Sequence, residues 1–377
     1  LVELLSKLGA IGIPFIPSRQ EDGYGLNLKM INEINSKDIH LIITVDNGIS
    51  AFEAIKRSKE LGIDLIITDH HKIPKDHVDI LALIHPEKLP INSPYKYMAG
   101  VGLAYILGKS VCEKLNYDIH ESTAAVLFSI GTVADMAPLK GANRKLLKEF
   151  LPNINNTNNL GIKSIINKLS IDKGDITVDD IGYKIAPLIN AVGRIGDPKL
   201  IIELLLNESK ACVDDLTKEC FNMNKERRKI TKLIELEALE LARKEYANDR
   251  KFLVLKNSDW HPGIIGIVAA KIVDKFNLPT AILCSTKDGL FRGSIRSNNL
   301  IKVNIALDEC KDILISFGGH SAAAGFTIKE ENIPRLYEKL NDIAKEKFIS
   351  CDLIRSIRPE AHMNFVDINY DFFKQLQ

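Results

Sequence analysis

Two short apolar runs, each followed directly by polar side chains, set the strongest limit on the fold of this chain. Residues 40–45 read His-Leu-Ile-Ile-Thr-Val, and residues 64–68 read Asp-Leu-Ile-Ile-Thr. Continuous apolar runs of this length are typical of strands buried on both faces of a parallel sheet. A helical pattern at 50–61, which stops at Gly62, supplies the crossover between them. With a further strand predicted at 80–84, these runs predict a doubly wound parallel α/β sheet.

The side chains that follow these strands can perform chemistry. Asp46 comes directly after the first strand, and Asp69, His70 and His71 come directly after the second. Because the carboxyl ends of parallel strands meet at one edge of a sheet, we expect these side chains to share a crevice. Taken singly, Asp-Asn-Gly at 46–48 is a common turn, and Asp-His-His could cap a helix and expose two imidazoles. Their joint occurrence favours a functional site.

A third motif adds another carboxylate. Gly-Thr-Val-Ala-Asp at 131–135 follows a buried helix predicted at 122–130, although Asp135 alone could be a helix cap or a loop residue. Carboxylate oxygen and imidazole nitrogen without a thiolate suit Mn²⁺ or Mg²⁺ better than structural zinc. A carboxylate that bridges two such ions is the usual scaffold for in-line displacement at phosphorus. Together the three motifs predict a metal site.

Composition narrows the class of protein. The 377 residues suggest two or three domains at about 150 residues each, and the 45% hydrophobic and 26% charged residues exclude a disordered, collagen-like or coiled-coil chain. The net charge of +1 argues against a general polyanion coat but allows a local basic groove. Six scattered cysteines without a C-x-x-C pair predict reduced thiols in the cytosol. No apolar run approaches the roughly 20 residues that cross a bilayer.

The second half of the chain predicts another α/β unit. No Pro or Gly occurs between Cys212 and Ala247, which predicts one long helix. Strands and a closing helix are predicted after it, at 252–255, 280–284, 290–296 and 334–347.

Three less regular segments are also predicted. A strand is predicted at 11–16, where Pro14 and Pro17 restrict it to an edge or an end. The Asn-rich segment 151–180 is predicted to be largely loop. Phe-Gly-Gly-His at 317–320 is predicted to be a flexible loop.

The second half carries groups that suit an anion. The two-residue period of its third strand places Ser294 and Arg296 on one face. Trp-His-Pro-Gly at 260–263 precedes a helix whose N-terminal amides could face an anion. His320 beside two glycines could form a phosphate nest, although a simple turn explains it as well. Arg194 follows a bend that Gly permits and could equally be a surface cation.

Taken together, these motifs resemble the DHH phosphoesterase superfamily and, within it, the RecJ single-stranded-DNA exonucleases. Asp-Asn-Gly, Asp-His-His and Gly-Thr-Val-Ala-Asp indicate the superfamily, whereas the Arg-bearing bend, Trp-His-Pro-Gly and Gly-Ser-Ile-Arg-Ser indicate RecJ. The matching stretches follow the family order over nearly the whole chain, at 16–19, 23–25, 45–48, 69–71, 99–102, 131–135, 143–144, 190–196, 224–227, 260–263, 293–297 and 318–320.

The resemblance implies an α/β enzyme with a DHH parallel-sheet lobe and a smaller αβ DHHA1 lobe joined by a long helix. The implied segments are the DHH lobe at 1–210, the connecting helix at 211–248, the DHHA1 lobe at 249–348 and the start of an OB-type domain at 349–377. The family's first metal motif, a D-x-D run, would lie upstream of Leu1. The resemblance therefore implies a fragment cut at both ends, with one half of a two-metal site incomplete. We expect it to bind at most one metal ion well and to hydrolyse DNA poorly.

The resemblance also implies a role for each candidate residue. Asp46 would be the bridging carboxylate, with His70 and Asp135 as further ligands of Mn²⁺ or Mg²⁺. Asp69 would orient the first imidazole, and His71 would contact the scissile phosphate. The residues that bind the 5′ phosphate and the DNA would be Arg19, Arg194, Ser294, Arg296 and, on the DHHA1 lobe, His320.

The implied activity is metal-dependent 5′→3′ hydrolysis of single-stranded DNA in recombination and repair. The enzyme would be a cytoplasmic monomer that receives its substrate from a helicase or a single-strand-binding protein. Two other classes stay open. A sister phosphodiesterase would act on short oligonucleotides or small nucleotides, and a non-catalytic relative would serve as a replication scaffold.

Overall fold

The chain forms two compact units, Leu1–Asn224 and Lys225–Gln377. The computed structural model describes residues 1–17, 25–74, 79–117, 123–171, 176–286, 289–298, 301–348, 359 and 361–376. Each unit has buried apolar side chains of its own, which pack into cores within that unit. Among the described residues, no helix has the length and apolar character needed to cross a membrane.

The first unit contains a parallel sheet and a set of helices. Its strands are β1 (Leu41–Val45), β2 (Asp64–Thr68) and β3 (Ala82–Ile84), in the spatial order β1-β2-β3. Its helices are α1 (Val2–Lys7), α2 (Leu28–Asn35), α3 (Phe52–Glu60), α4 (Gly100–Lys114), α5 (Thr123–Ala134), α6 (Gly141–Phe150), α7 (Leu160–Lys168), α8 (Val178–Asp180), α9 (Ala186–Ile195) and α10 (Lys199–Leu206). Shorter 3₁₀ turns lie at Pro86–Lys88 and Leu151–Asn156, and a π-helix lies at Ile181–Ile185.

The register of this sheet aligns the ends of its strands. Val45 pairs with Thr68, and Thr68 pairs with Ile84, so all three strands end at the same edge. The prediction of a parallel sheet is confirmed. Burial on both faces is wrong for β1, because burial alternates along it: Ile42 and Thr44 are buried on one face, whereas Leu41 and Val45 on the other are exposed.

Two predictions for irregular segments in this unit are wrong. Residues 11–16 form no strand, because two prolines remove backbone donors and fix φ there. Within 151–180 the structure has a 3₁₀ turn and α7 in place of a continuous loop. Asn159 caps α7 by accepting a hydrogen bond from the Ile162 amide, and Ile165 of the same helix is buried. The Asn-rich composition thus supplies caps for an amphipathic helix.

A single helix, α11 (Lys210–Ala247), crosses the division between the units, which confirms the predicted long helix. The second unit then forms a mixed sheet with the spatial order β4-β5-β6-β8-β7. β4 and β5 are parallel, and the remaining pairs are antiparallel. Its elements are β4 (Leu253–Lys256), α12 (Ile265–Phe276), β5 (Thr280–Ser285), β6 (Leu290–Arg296), α13 (Val303–Asp308), β7 (Leu314–Gly319), β8 (Ala323–Lys329), α14 (Ile333–Phe348) and α15 (Tyr370–Leu376), with 3₁₀ turns at Glu330–Asn332 and Phe365–Asp367.

The predicted flexible loop at 317–320 is instead the end of β7. Gly318 pairs with Gly325 across the strands, and Gly319 pairs with Ala324. Gly319 has a φ of +140° and lies so close to β8 that a Cβ there would be 2.5 Å from the Ala323 carbonyl oxygen. The glycines therefore allow a close strand pairing, which the sequence pattern did not distinguish from a loop.

Candidate metal centre

Asp46 directly follows β1 in an uncommon backbone conformation. Its φ of +66° lies in the left-handed region, which Asp tolerates better than most residues. Its amide donates to the carbonyl oxygen of Thr68 at 2.9 Å, which extends the strand pairing by one residue. Gly100, the first residue of α4, packs against it, and a Cβ on Gly100 would lie 2.4 Å from Asp46 Cβ and Oδ1. Thr68 thus fixes the backbone of Asp46, and Gly100 leaves the space that its carboxylate occupies.

The predicted carboxylates and imidazoles of the first unit lie together. His70 Nε2 is 3.0 Å from Asp46 Oδ1 and 4.0 Å from Asp135 Oδ2. Among the described residues, Asp46, His70 and His71 form a group that could hold a metal ion, with ligand atoms all within 4.8 Å of one another. Asp135 follows α5 directly, so the first four residues of its motif are the last turn of that helix and do not come after it.

Asp69 is buried, and hydrogen bonds occupy both of its oxygens. Oδ1 accepts from the amides of His70 and His71 at 2.8 and 3.1 Å and lies 2.6 Å from His71 Nδ1. Oδ2 accepts from the Ile49 amide at 3.1 Å. The expectation that Asp69 orients the first imidazole is wrong, because its side chain contacts the imidazole of His71 and reaches His70 only at the backbone amide. With its oxygens used in this way, Asp69 is suited to orienting His71 rather than to binding an ion.

These contacts shift the pKa values of the site. Burial alone would raise the pKa of Asp69, but the hydrogen bonds from His71 and Ile49 lower it to about 2. The hydrogen bond to Asp46 raises the pKa of His70, and the hydrogen bond to Asp69 raises that of His71, in each case against the effect of burial. Burial raises the pKa of Asp135, although the nearby His70 opposes the shift.

One residue of this region was missed from the sequence. His85 directly follows β3, is 3% exposed, and places Nε2 2.6 Å from the carbonyl oxygen of His71. The signal that could have found it is its position, since it is the polar residue after the third parallel strand, as Asp46 and Asp69 are after the first two.

Two predicted anion-binding residues lie together in the second unit. Ser294 and Arg296 project from the same face of β6, as the two-residue period predicts, and Arg296 Nη1 donates to Ser294 Oγ at 3.2 Å. Gly266 in the first turn of α12 packs on this pair, since a Cβ there would be 2.9 Å from Ser294 Oγ. Burial lowers the pKa of the Arg296 guanidinium. The arrangement presents a cation near the start of a helix, a setting that suits a phosphate.

The remaining predicted residues are dispersed. Arg194 lies in the last turn of α9 in the first unit. His320 follows β7 in the second unit, is exposed, and donates from its amide to the Ala323 carbonyl oxygen at 2.8 Å. Arg19 lies outside the described residues.

Comparison with known families assigns each unit to a class of domain. Residues 1–132 match the model of the DHH family, N-terminal domain, and residues 249–346 match the model of the DHHA1 domain. The fold and the site thus define a protein that combines a DHH domain with a DHHA1 domain.

Similarity to individual proteins identifies the family within this class. The chain is 37% identical over 355 residues to the single-stranded-DNA-specific exonuclease RecJ of Bacillus subtilis, covering 94% of this chain and 44% of that protein. It is 30% identical to RecJ of Haemophilus influenzae, covering 97% and 67%. A crystal structure of exonuclease RecJ bound to manganese superposes with a TM-score of 0.79 at 30% identity, covering 93% of this chain and 88% of that one. The chain belongs to the RecJ family. It spans about half to two thirds of the length of these curated relatives.

Proposed function

We propose that this chain carries the catalytic part of a metal-dependent 5′→3′ exonuclease that hydrolyses single-stranded DNA. The observation that carries the proposal is the approach of His70 Nε2 to Asp46 and Asp135 at the ends of the sheet and α5, in a chain of the RecJ family. Asp46, Asp135 and His71 border an open cleft of about 1900 Å³ in the first unit. A cleft of this size has room for a nucleotide as well as an ion.

The donor set fits Mn²⁺ or Mg²⁺, the ions named for solved RecJ structures. Asp46, His70 and Asp135 would hold the ion. The imidazole of His71 lies close by, since its ligand atom is within 4.8 Å of those of Asp46 and His70. Hard oxygen ligands with imidazole suit Mn²⁺. A bound divalent ion would supply Lewis-acid polarisation of the scissile phosphate.

The other residues of the site would orient and stabilise the substrate. Asp69 holds Nδ1 of His71, and we assign Nε2 of the same imidazole to a phosphate oxygen. The raised pKa of His71 favours its charged form, which attracts a phosphodiester. Asp69 and His71 would therefore act as a pair, the first positioning the second.

The 5′ end of the strand would be bound by cations and a hydroxyl. Arg296 with Ser294 would grip the terminal phosphate, supported by the helix start beside them. We also assign Arg19 and Arg194 to this phosphate and His320 to substrate binding by the DHHA1 lobe.

The domain boundaries and cellular setting are part of the same proposal. We assign a DHH lobe to 1–210, a connecting helix to 211–248 and a DHHA1 lobe to 249–348, supported by the two family matches and by α11. Of the predicted OB-type start at 349–377, the structure describes residues 359 and 361–376, which contain the 3₁₀ turn Phe365–Asp367 and helix α15. We propose a cytoplasmic monomer that acts in recombination and repair and receives its strands from a helicase or a single-strand-binding protein.

A nuclease assay on end-labelled oligonucleotides tests the activity. We expect slow, Mn²⁺-dependent release of mononucleotides from the 5′ end of single strands, little cleavage of blunt duplex, and loss of activity in Asp46→Ala. Asp215→Ala, which changes an exposed carboxylate that pairs with Lys218, is the matched control. Preference for dinucleotides would point to a small-nucleotide phosphodiesterase, and no cleavage by the unaltered chain would favour a scaffold. Calorimetric titration with two tight Mn²⁺ sites would contradict the expectation of one.

A further inference from the structure

We propose that His85 is a positioning residue that fixes the backbone of His71 and thereby the direction of its imidazole. Its catalytic meaning rests on the proposed function, but the structural part can be tested without any activity. His85 begins the connection after β3, and its imidazole is almost completely buried at 3% exposure. A buried imidazole is costly unless its nitrogens have partners, so its hydrogen bonds explain why it is tolerated there.

Both ring nitrogens of His85 have backbone partners that define its tautomer. The Glu87 amide donates to Nδ1 at 3.1 Å, so Nδ1 carries no hydrogen. In a neutral imidazole the hydrogen is then on Nε2, which lies 2.6 Å from the carbonyl oxygen of His71. His85 therefore donates to His71. A flipped ring would lose both of these pairings.

This bond completes a set of contacts that hold the peptide groups of His71 from two directions. Asp69 accepts from the amide and the imidazole of His71, while His85 donates to its carbonyl oxygen. The Asp69 amide in turn donates to the Ile84 carbonyl oxygen at 3.2 Å, next to His85 in sequence. Without the His85 bond, Asp69 would still hold the amide and the imidazole of His71, but this contact to its carbonyl oxygen would be lost.

A simpler role would be to cap the 3₁₀ turn Pro86–Lys88. That role uses only the acceptor Nδ1, which receives the Glu87 amide. It does not require a donor at Nε2 or a contact with His71. The proposal therefore predicts effects on the His70 and His71 amides that loss of a cap alone would not produce.

Paired substitutions at His85 separate these roles from general destabilisation. His85→Leu removes both hydrogen bonds, whereas the longer His85→Gln can place its amide nitrogen where Nε2 lies and keep the donor to the His71 carbonyl oxygen. In the metal-free protein we expect amide hydrogen exchange at His70 and His71 to become about tenfold faster or more in the Leu variant, because a buried hydrogen bond is lost. The Gln variant should recover most of the protection.

Metal binding provides a second measurement. We expect His85→Leu to weaken Mn²⁺ binding roughly 10- to 100-fold, as loss of a group that orients a ligand does, and to lower kcat on single-stranded DNA more than it raises KM. Asn341→Leu is the matched control. Asn341 is also fully buried and accepts a hydrogen bond from the Lys251 amide at 2.9 Å, but it lies in the second unit. It should leave exchange at His70 and His71, and Mn²⁺ affinity, unchanged.

Each possible result either supports or overturns the proposed role of His85. Unchanged exchange at His70 and His71 in His85→Leu, or Leu and Gln variants that cannot be told apart, would overturn the proposal. If the Leu variant does not fold, the imidazole ¹⁵N shifts of the unaltered protein decide instead. A neutral ring protonated at Nε2 supports the proposal, and any other form overturns it. If the unaltered chain neither binds Mn²⁺ nor cleaves DNA, the proposed function fails, while the exchange data still test His85.

Discussion

At the scale of single residues, the tightest packing in the candidate metal centre is between Asp46 and Gly100. We predict that Gly100→Ala will weaken Mn²⁺ binding roughly 10- to 100-fold, the range seen when a ligand loses its support. The added Cβ would lie 2.4 Å from the Asp46 side chain, so the carboxylate must move away from His70. Isothermal titration calorimetry with Mn²⁺ measures the effect.

Gly102→Ala is the control for this prediction, because Gly102 lies in the same helix and its Cβ would meet only the side chain of Met98, at 3.2 Å. Met is flexible and can move by the few tenths of an ångström required. Equal Mn²⁺ affinities for the two variants would show that Gly100 does not shape the site.

Asp69 gives the site a dependence on pH. Its pKa of about 2 in the folded chain lies below its ordinary value of 3.8, so the unfolded chain takes up a proton first as pH falls. The carboxylate therefore contributes about 2 kcal/mol to the free energy of unfolding above pH 4 or so, and this contribution disappears as pH falls towards 2.

We predict that Asp69→Asn lowers the free energy of unfolding by about this amount at pH 7 and that the difference shrinks steadily below pH 4. Urea unfolding followed by circular dichroism in EDTA, at a series of pH values, measures it. A difference between the two proteins that stays constant from pH 7 to pH 3 would contradict the assignment.

At the scale of elements, close contact between strands β6 and β8 depends on Gly293. A Cβ at Gly293 would lie 2.0 Å from the ring of Phe326, which is 3% exposed in the core of the second unit. We predict that Gly293→Ala lowers the free energy of unfolding of that unit by about 1–3 kcal/mol, because the ring has no free space to enter. Trp260, the only tryptophan, is buried there and reports unfolding by fluorescence.

Gly325→Ala on β8 provides the comparison, since its Cβ would meet only the Gly293 carbonyl oxygen at 3.7 Å. It should cost little or nothing. If Gly325→Ala destabilised the protein as much as Gly293→Ala, the loss would belong to strand glycines in general rather than to the Phe326 contact.

The elements also show how far sequence reasoning reaches. The continuous apolar runs of β1 and β2 predicted that Asp46 and Asp69 follow the ends of parallel strands. The two-residue period of β6 predicted that Ser294 and Arg296 share one face, because side-chain direction in a strand follows from the period alone. The segment around Asn159 was misread, since Asn is common in both loops and helix caps, and only the buried partners of a helix distinguish the two. His85 follows β3 as Asp46 and Asp69 follow β1 and β2, but its bond to the His71 carbonyl oxygen is a contact that its position alone did not reveal.

At the scale of the whole molecule, two separate cores predict unfolding in more than one step. Because the proposed ion site lies in Leu1–Asn224, Mn²⁺ at about 100 times its Kd should add about 2.7 kcal/mol to the stability of that unit alone. Trp260 fluorescence should then report a transition that Mn²⁺ does not move, while circular dichroism reports one that it does. Coincident curves from the two probes, both shifted by Mn²⁺, would show a single cooperative unit.

The boundary between the two units lies within α11, and this limits where the protein can be divided into two halves. The boundary between Asn224 and Lys225 falls inside a continuous helix. The part after it is tied to the second unit, since Glu235 pairs with Lys271 and Glu237 accepts a hydrogen bond from Trp260 Nε1 at 2.7 Å. A split at this point would create two new helix ends, each with unpaired backbone groups. Two half-proteins cut at this point would therefore have to re-form one continuous helix across the cut in order to reassemble. Formation of that helix would determine whether the halves associate.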